Sequence, residues 1–547
     1  MSADLILLKK KHEYLKNKRR SYESLYRDLS DYLAPDRGFF DGEEPGKERT
    51  DRYKKLIDPS ATICLNYFAA GMQGGLNSPK RPWLRLQTND PDMNRYKPFR
   101  EYFSAVEHIL YAIFAQSNFY TATHNIYLEQ GTFGTGCLLM EEDFTKVVRF
   151  TALTAGEYWI DVGDDGRVNT MYRELYMPAR NIVRRWGKER VTDKVRTAAE
   201  GNDPFHLFKL IQVVEPREGR DTSKIDTLNM PYSSVYFEPD GQDVLRESGF
   251  DECPIAAPRW SAVGSAVYGT GPGHMVLRQV KLLQEENMTK LKAAHKMVDP
   301  PVIGPTALNK KGINTLPGGK NYMDADKIAQ FGALYNVNYD INAAIESIHD
   351  VRNIIERSLY TDLFIMMVEK DNMTATEILE RKQEKLFTLG PAIEKQTDEL
   401  LDQVIDFTYS AAARRGILPP APPELQGENL EIEYISTLAQ AQKLAGLEQM
   451  RAYVGVGMDL AQLNPEVVDK IDVDAIMDEA ADVTGIPPKC NRSNDETMEL
   501  RQQRQQQQQA MMEQEQANQE AARMKDLAGA SLEGKNALTA AQEAMEG

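Results

Sequence analysis

What this chain lacks narrows its function before anything it contains does. No apolar run approaches the roughly 18 to 20 residues that cross a bilayer, so no membrane partner is expected. The N-terminus passes from Leu5-Ile6-Leu7-Leu8 directly into Lys9-Lys10-Lys11, the wrong order for a secretory leader, and predicts a protein made and kept in the cytosol. Four cysteines, Cys64, Cys137, Cys253 and Cys490, stand far apart and form no C-x-x-C pair, which excludes a short disulfide framework and a sequence-encoded zinc site. The seven histidines are equally scattered and contain no H-E-x-x-H.

Nucleotide and acyl-transfer chemistry are missing as well. A phosphate-cradling loop needs G-x-x-x-x-G-K-[ST], but Lys47 is followed by Glu48 and Lys320 by Asn321. Gly269-x-Gly271-x-Gly273 lacks the dinucleotide spacing and reads as a flexible joint before a helix. There is no G-x-S-x-G, and the acid pairs Glu141-Glu142 and Asp164-Asp165 have the look of solvated turns. The reading is therefore a non-enzyme, with no catalytic residue, cofactor or metal.

Positive charge is the scarcer sign. With 82 acidic against 65 basic residues the formal charge is −17, which argues against a protein that grips nucleic acid, because tight phosphate binding needs lysine and arginine to displace counterions. Weak contact with a sliding polyanion remains compatible with it. Lys9-Lys10-Lys11 and Lys18-Arg19-Arg20 lie among acids on a helix and read as a solvated face.

What is present is mostly helix. Leu8, Leu15, Leu25, Leu29 and Leu33 recur at helical spacing until Pro35, and apolar runs predict further helices over 63–72, 99–116 and 120–131. From Gly136 to about Phe250 short alternating runs separated by Gly/Asp turns predict strands, interrupted by a helix at 179–186. Helical patterns over 273–298 and 341–360 flank an insert of Gly, Pro and Asn, and residues 361–373 break the period. Thr374-Ala375-Thr376-Glu377 has capping-box spacing and opens a long helix to about Arg415, kinked by Gly390-Pro391. A Pro-rich linker at 418–423 precedes several short helices over 430–490 and a glutamine-rich polar tail, which is either disordered or a helix. The fold class is α+β, mainly helical.

Three stretches occur in an informative order. They are Phe68-Ala69-Ala70-Gly71-Met72-Gln73-Gly74-Gly75-Leu76-Asn77-Ser78-Pro79 with Arg81-Pro82-Trp83-Leu84-Arg85-Leu86, then Cys253-Pro254-Ile255-Ala256-Ala257-Pro258-Arg259-Trp260 running to Tyr268-Gly269-Thr270-Gly271-Pro272, then Met373-Thr374-Ala375-Thr376-Glu377-Ile378 followed by Leu389-Gly390-Pro391. Together they resemble the head-to-tail connecting (portal) proteins of short-tailed, podovirus-type bacteriophages, over about residues 5 to 420.

That resemblance implies a portal fold: a ring, typically a dodecamer, around a DNA channel at one capsid vertex. Residues 1–271 would be the wing, 272–298 and 341–360 the stem helices, 299–340 the clip and 361–373 the tunnel loop. Residues 374–415 would be the long kinked wing helix, 416–494 the linker and crown, and 495–547 the tail. Met366, Met367, Lys370, Asp371, Asn372 and Met373 would line the channel, Thr374 and Glu377 cap the next helix, and Gly390 and Pro391 kink it. Lys310, Lys311, Asn314, Lys320 and Asn321 would form the clip's docking surface. The implied partners are further copies of the chain, a packaging ATPase (terminase), a tail adaptor, major capsid and scaffolding proteins, and double-stranded DNA held by weak contacts during packaging and ejection. The virion would be assembled in the host cytoplasm. Two other readings are a tail adaptor or internal head protein, and a hydrolase with an unrecognised acidic site.

Overall fold

The computed structural model describes residues 4–40, 50–88, 90, 96–201, 203–224, 226–304, 312, 314, 322, 332–335, 338–366, 389–425, 430–435, 450–460, 470–484, 494–529 and 542–545. Two compact units emerge, one built from residues 1–89 and 101–445, the other from 90–100 and 446–547.

The first helix, α1 (Leu5–Leu33), is a spine for the larger unit. Asp4 caps it, its carboxylate accepting from the Ile6 and Leu7 amides at 3.0 and 3.3 Å. Leu8 and Leu15 in its first half pack into a cluster with Trp159, Tyr172, Ile211, Val213 and Phe237. Tyr26, Leu29 and Leu33 in its second half join a different cluster with Val276, Val280, Leu283, Ile348 and Ile355. Each such buried side chain contributes roughly 1.5–3 kcal/mol, so one helix welds two cores.

The basic residues on α1 are only in part the solvated face that the sequence suggests: Lys10 and Arg20 are exposed, but the other four have partners. Lys9 donates to the Gly241 carbonyl at 2.7 Å, Lys11 pairs with Glu215 at 2.7 Å and Lys18 with Asp161 at 2.8 Å. Arg19 is buried, lies 4.6 Å above the Trp159 ring and donates to the Tyr158 carbonyl. Sequence neighbours with alternating charge look solvated because the acids they meet lie more than a hundred residues away.

Those acids stand on a five-stranded antiparallel meander of β4 (Tyr158–Val162), β5 (Val168–Pro178), β6 (Leu207–Pro216), β7 (Tyr232–Phe237) and β8 (Val244–Phe250), in that order. A three-stranded sheet, β3 (Val147–Leu153), β2 (Cys137–Asp143) and β9 (Ile255–Ala256), lies beside it, sharing a core of Cys137, Leu139, Met171, Val214 and Ile255. Ala179–Trp186 and Asp193–Glu200, the second unanticipated from the sequence, form helices that cover Leu210, Tyr236 and Leu245.

One strand corrects the sequence reading. Leu430–Tyr434 falls where short helices are expected, yet it is extended and pairs with β1 (Leu84–Thr88), Leu84 opposite Tyr434 and Thr88 opposite Leu430. Its Leu-Glu-Ile-Glu-Tyr alternation has period two, and five residues are too few for a helical period to be told apart from it.

The helical patterns after residue 270 appear as Pro272–Val298 and Ile341–Ser358. They pack side by side through Val276, Val280, Leu283, Ile348, Val351 and Ile355, and Asp340 caps the second. Asp58, just before the helix Ser60–Leu76, ties both to the N-terminal region. Its carboxylate accepts from Asn287 at 3.1 Å and Arg352 at 2.7 Å, while the Gln284 carboxamide accepts from the Ile57 and Asp58 amides at 2.7 and 2.9 Å. Between the two helices the described residues include the strand pair Val302–Ile303 and Gly332–Ala333. In the second unit, Val473–Thr484 and the 36-residue helix Asn494–Gly529 are joined by the ion pair Asp474–Arg501 at 2.6 Å. The polar tail is therefore helical over that range.

His12 provides a pH test of the α1–sheet contact. It is buried between Trp159 and Tyr172, and desolvation, followed by the neighbouring Lys16, lowers its pKa from 6.5 to about 4. The unfolded chain binds a proton at this side chain between pH 6.5 and 4 that the folded chain does not. Its contribution is thus fully present above pH 6.5 and is lost as pH falls toward 4, by up to about 3 kcal/mol. Half-buried His274, also lowered to about 4 by desolvation, adds a slope of the same sign. Urea unfolding from pH 7 to 4 should show this decline, and His12→Gln should remove roughly half of it.

Candidate functional site: an aromatic and ionic junction

The first two of the three stretches singled out in the sequence meet at one place, together with residues 360–366 and Glu399; residues 373–378 of the third lie outside the described residues. The first forms the helix Ser60–Leu76, hereafter α2, in which Phe68, Ala69 and Met72 are fully buried. Its glycine at 71 is dictated by what lies against it: a Cβ there would sit 2.1 Å from Cγ of Phe364. Asn77, also fully buried, follows the helix. Its amide nitrogen donates to Thr123 at 3.1 Å and its oxygen accepts from the Tyr127 hydroxyl at 3.0 Å, both on the helix Phe119–Phe133. An uncharged residue with both donor and acceptor is needed there, because a buried unpaired group costs about 1–3 kcal/mol.

The second stretch supplies Arg259 and Trp260. Trp260 meets Phe68 edge-on at 5.3 Å and Tyr360 at 6.0 Å, and its backbone amide donates to the Gly134 carbonyl at 2.9 Å. Arg259 is buried and donates twice to Glu399, from Nη2 at 2.6 Å and Nε at 3.2 Å, while its own backbone amide donates to the same carboxylate at 2.8 Å. Its remaining donors reach the carbonyls of Gly166 and Ala266. The Gly269–Gly273 run that follows is packed, not flexible. Cβ atoms at Gly271 and Gly273 would fall 2.4 Å from the Gln130 carbonyl and 2.5 Å from that of Thr132. Glycine is used there for close backbone approach.

The third element is the chain leaving Ile341–Ser358. Tyr360 has φ +54°, left-handed for a residue with a Cβ and costing about 1–3 kcal/mol. It turns the chain into a short helix, Thr361–Met366, where the sequence shows only a break in pattern. Phe364 on that helix packs on Phe68 at 6.2 Å. Residues 367–388 lie outside the described residues; from 389 the described chain is helical, with Leu389 fully buried, and it widens into a π-turn at Thr397–Leu401 that carries Glu399. Such turns insert one residue into the ladder and re-aim side chains.

Both roots of the 367–388 segment are thereby clamped to one aromatic and ionic junction. Thr361–Met366 is the helix of the first root, and Gly390 and Pro391 lie within the helix described from residue 389. Met367, Lys370, Asp371, Asn372, Met373, Thr374 and Glu377 fall outside the described residues, as do Lys310, Lys311, Lys320 and Asn321. Asn314 is described and exposed. Among the described residues no group of His, Cys, Asp or Glu is arranged to hold a metal ion, and no helix is long and apolar enough to cross a membrane. Sequence reasoning missed Glu399, whose signal was an acid on the buried stripe of Leu389, Ile393, Leu400 and Val404.

Gly71→Ala should cost about 1–3 kcal/mol through overpacking against Phe364, and Phe364→Leu in the same chain should recover part of it, as read by equilibrium urea unfolding. Glu399→Gln, which leaves a buried guanidinium uncompensated, should cost about 3–5 kcal/mol in the same measurement.

The family described as "Bacteriophage head to tail connecting protein" matches residues 6–490. The chain is 37% identical over 540 residues to a "Probable portal protein" of Bordetella phage BPP-1, covering 97% of each. It is 36% identical over 532 residues to a "Portal protein" of Salmonella phage epsilon15, covering 96% of each. A solved structure titled "Neck of empty GTA particle computed with C6 symmetry" resembles it at 11% identity and TM-score 0.36, over 75% of this chain and 90% of that one, a likeness too distant to carry an argument. With a family match across nearly its whole length, this chain belongs to the bacteriophage head-to-tail connecting proteins.

Proposed function

We propose that copies of this chain close into a ring, twelve being the family's typical number, at one capsid vertex, where the ring is the channel for genome packaging and ejection. The function is that of a phage portal protein, a structural component of the virion. The observation that carries it is identity of 37% and 36% to two portal proteins across nearly the full length of each chain. In this reading the paired helices Pro272–Val298 and Ile341–Ser358 are the stem, and the residues between them are the clip that docks a packaging ATPase and later a tail adaptor. Residues 361–373 are the tunnel loop, with Met366, Met367, Lys370, Asp371, Asn372 and Met373 toward DNA. The clamped roots on either side support it, because a loop that meets a moving duplex needs a fixed base.

The chain's charge of −17 supports geometric enclosure of DNA over a tight grip. Energy for translocation then comes from a partner, since no nucleotide-binding motif is present in the sequence. Closure into a ring requires heterologous contacts between subunits.

Class averages of the purified full-length chain by electron microscopy should show a closed ring with an axial hole, and native mass should give one copy number. Monomers or solid particles would reject the ring and favour a tail adaptor or internal head protein. Lys310→Glu with Lys311→Glu should leave the ring intact and weaken its binding to the packaging ATPase, read by co-sedimentation.

A further inference from the structure

The larger unit carries a recess on one face of its meander sheet and a projecting aromatic ring on the other. The recess is a cavity of about 300 Å³ between α1 and the sheet, with Phe39, Phe40, Trp159 and Tyr176 among its walls. Its sheet residues share one face. Trp159 stands opposite Tyr172, Glu174 and Tyr176 follow at two-residue steps, and Tyr176 stands opposite Lys209. This is the face that α1 covers through Leu8 and Leu15.

Most charges lining the cavity are satisfied within the subunit. Lys16 and Lys209 both hold Glu174, at 2.5 and 2.8 Å. Arg19 is buried against Trp159, donates to the Tyr158 carbonyl and faces Glu23 at 3.8 Å. Glu157 accepts from the Thr154 amide at 3.2 Å. Arg20 is different: it lines the cavity, is exposed and, among the described residues, makes no hydrogen bond or ion pair. Aromatic walls with one free cation make a poor seat for a multiply charged ligand. They suit an apolar ring standing next to a single carboxylate.

The tip of the β2–β3 hairpin carries that combination. Phe144 is fully exposed, yet the backbone under it is fixed: Arg415 donates to its carbonyl at 3.3 Å, and Arg414 holds Glu142 at 2.8 Å and Glu252 at 2.9 Å. Val147, the first residue of β3, has φ +66°, a strained conformation for a β-branched residue. Beside Phe144, Asp143 turns one carboxylate oxygen to the Thr145 and Lys146 amides, at 2.8 and 3.0 Å, and forms no ion pair among the described residues. The hairpin packs on the face opposite α1, its Leu139 clustering with Met171 and Val214, which alternate with Tyr172 and Val213 of the α1 face. In one subunit the sheet stands between tip and cavity.

We propose that the hairpin tip of one subunit docks into the α1 cavity of the next, with Phe144 entering between the aromatic walls and Asp143 pairing with Arg20. The occupant is a second copy of this chain, since the matching shape and the matching charge are both its own. A projection and a recess on opposite faces form a heterologous contact, which propagates head to tail and ends only when a ring closes. The inference rests on the ring reading above and names a contact that holds neighbouring subunits.

Thr145→Cys with Asn17→Cys in one full-length chain tests it, because both positions are exposed, one next to Phe144 and the other on the cavity wall. Mild oxidation of the assembled protein should give a ladder of linked subunits on a non-reducing gel, reaching the copy number of the ring, and either cysteine alone should give no ladder. Rings without linked species overturn the proposal and leave the portal reading standing; a chain that forms no ring overturns both. Substitution gives an independent readout. Arg20→Glu and Phe144→Ser should each deplete rings in class averages, since the loss recurs at every contact, while Arg20→Lys and Phe144→Tyr should keep them. Both side chains are exposed, so an unchanged circular dichroism spectrum separates lost assembly from misfolding. Rings undiminished in Arg20→Glu and Phe144→Ser also overturn the proposal.

Discussion

The buried pair of Arg259 and Glu399 is the constraint on which the arrangement of this subunit turns. An ion pair removed from water adds little net stability, because desolvation offsets most of the attraction. What it supplies is position. Glu399 accepts from the guanidinium and from the Arg259 backbone amide at once, so the carboxylate has one place to be. The π-turn at Thr397–Leu401 follows as the local distortion that delivers it. Trp260, the next residue, then falls between Phe68 and Tyr360, and the two roots of the 367–388 segment are located together.

The second organising element is α1, through its two halves. Its apolar stripe reaches the meander sheet at one end and the paired helices at the other. Its cations meet acids and carbonyls on the sheet and its loops, which fixes the rotation of the helix about its axis as the stripe fixes its depth. Half-buried pairs of this kind contribute modestly to stability; their number and spread make the docking unique.

Much of this was legible from the sequence, and the misses have identifiable causes. Long helices show a 3.6-residue period over several turns, and Leu5–Leu33, Pro272–Val298 and Ile341–Ser358 lie within a few residues of where that period places them. Leu430–Tyr434 was misread because its five residues carry no period long enough to weigh, and its partner β1 lies hundreds of residues earlier. The glycines at 269–273 look like a flexible joint in sequence, whereas their cause is a neighbouring backbone, an effect that exists only in three dimensions. The first two motifs mark the place of the junction but not its chemistry: Arg259 stands within a motif, while Glu399 lies 140 positions away in a helix read for its apolar stripe.

The separation between Arg259 and Glu399 also sets a clock. The meander is built from consecutive hairpins, so its contacts are local and can form as soon as each strand leaves the ribosome. The junction cannot. At about 5–20 residues per second, roughly 7 to 28 s elapse between synthesis of Arg259 and arrival of its carboxylate. During that interval Phe68 and Trp260 also await Tyr360 and Phe364. Completion of the subunit is therefore paced by translation, and surfaces that depend on the junction become available only after most of the chain exists.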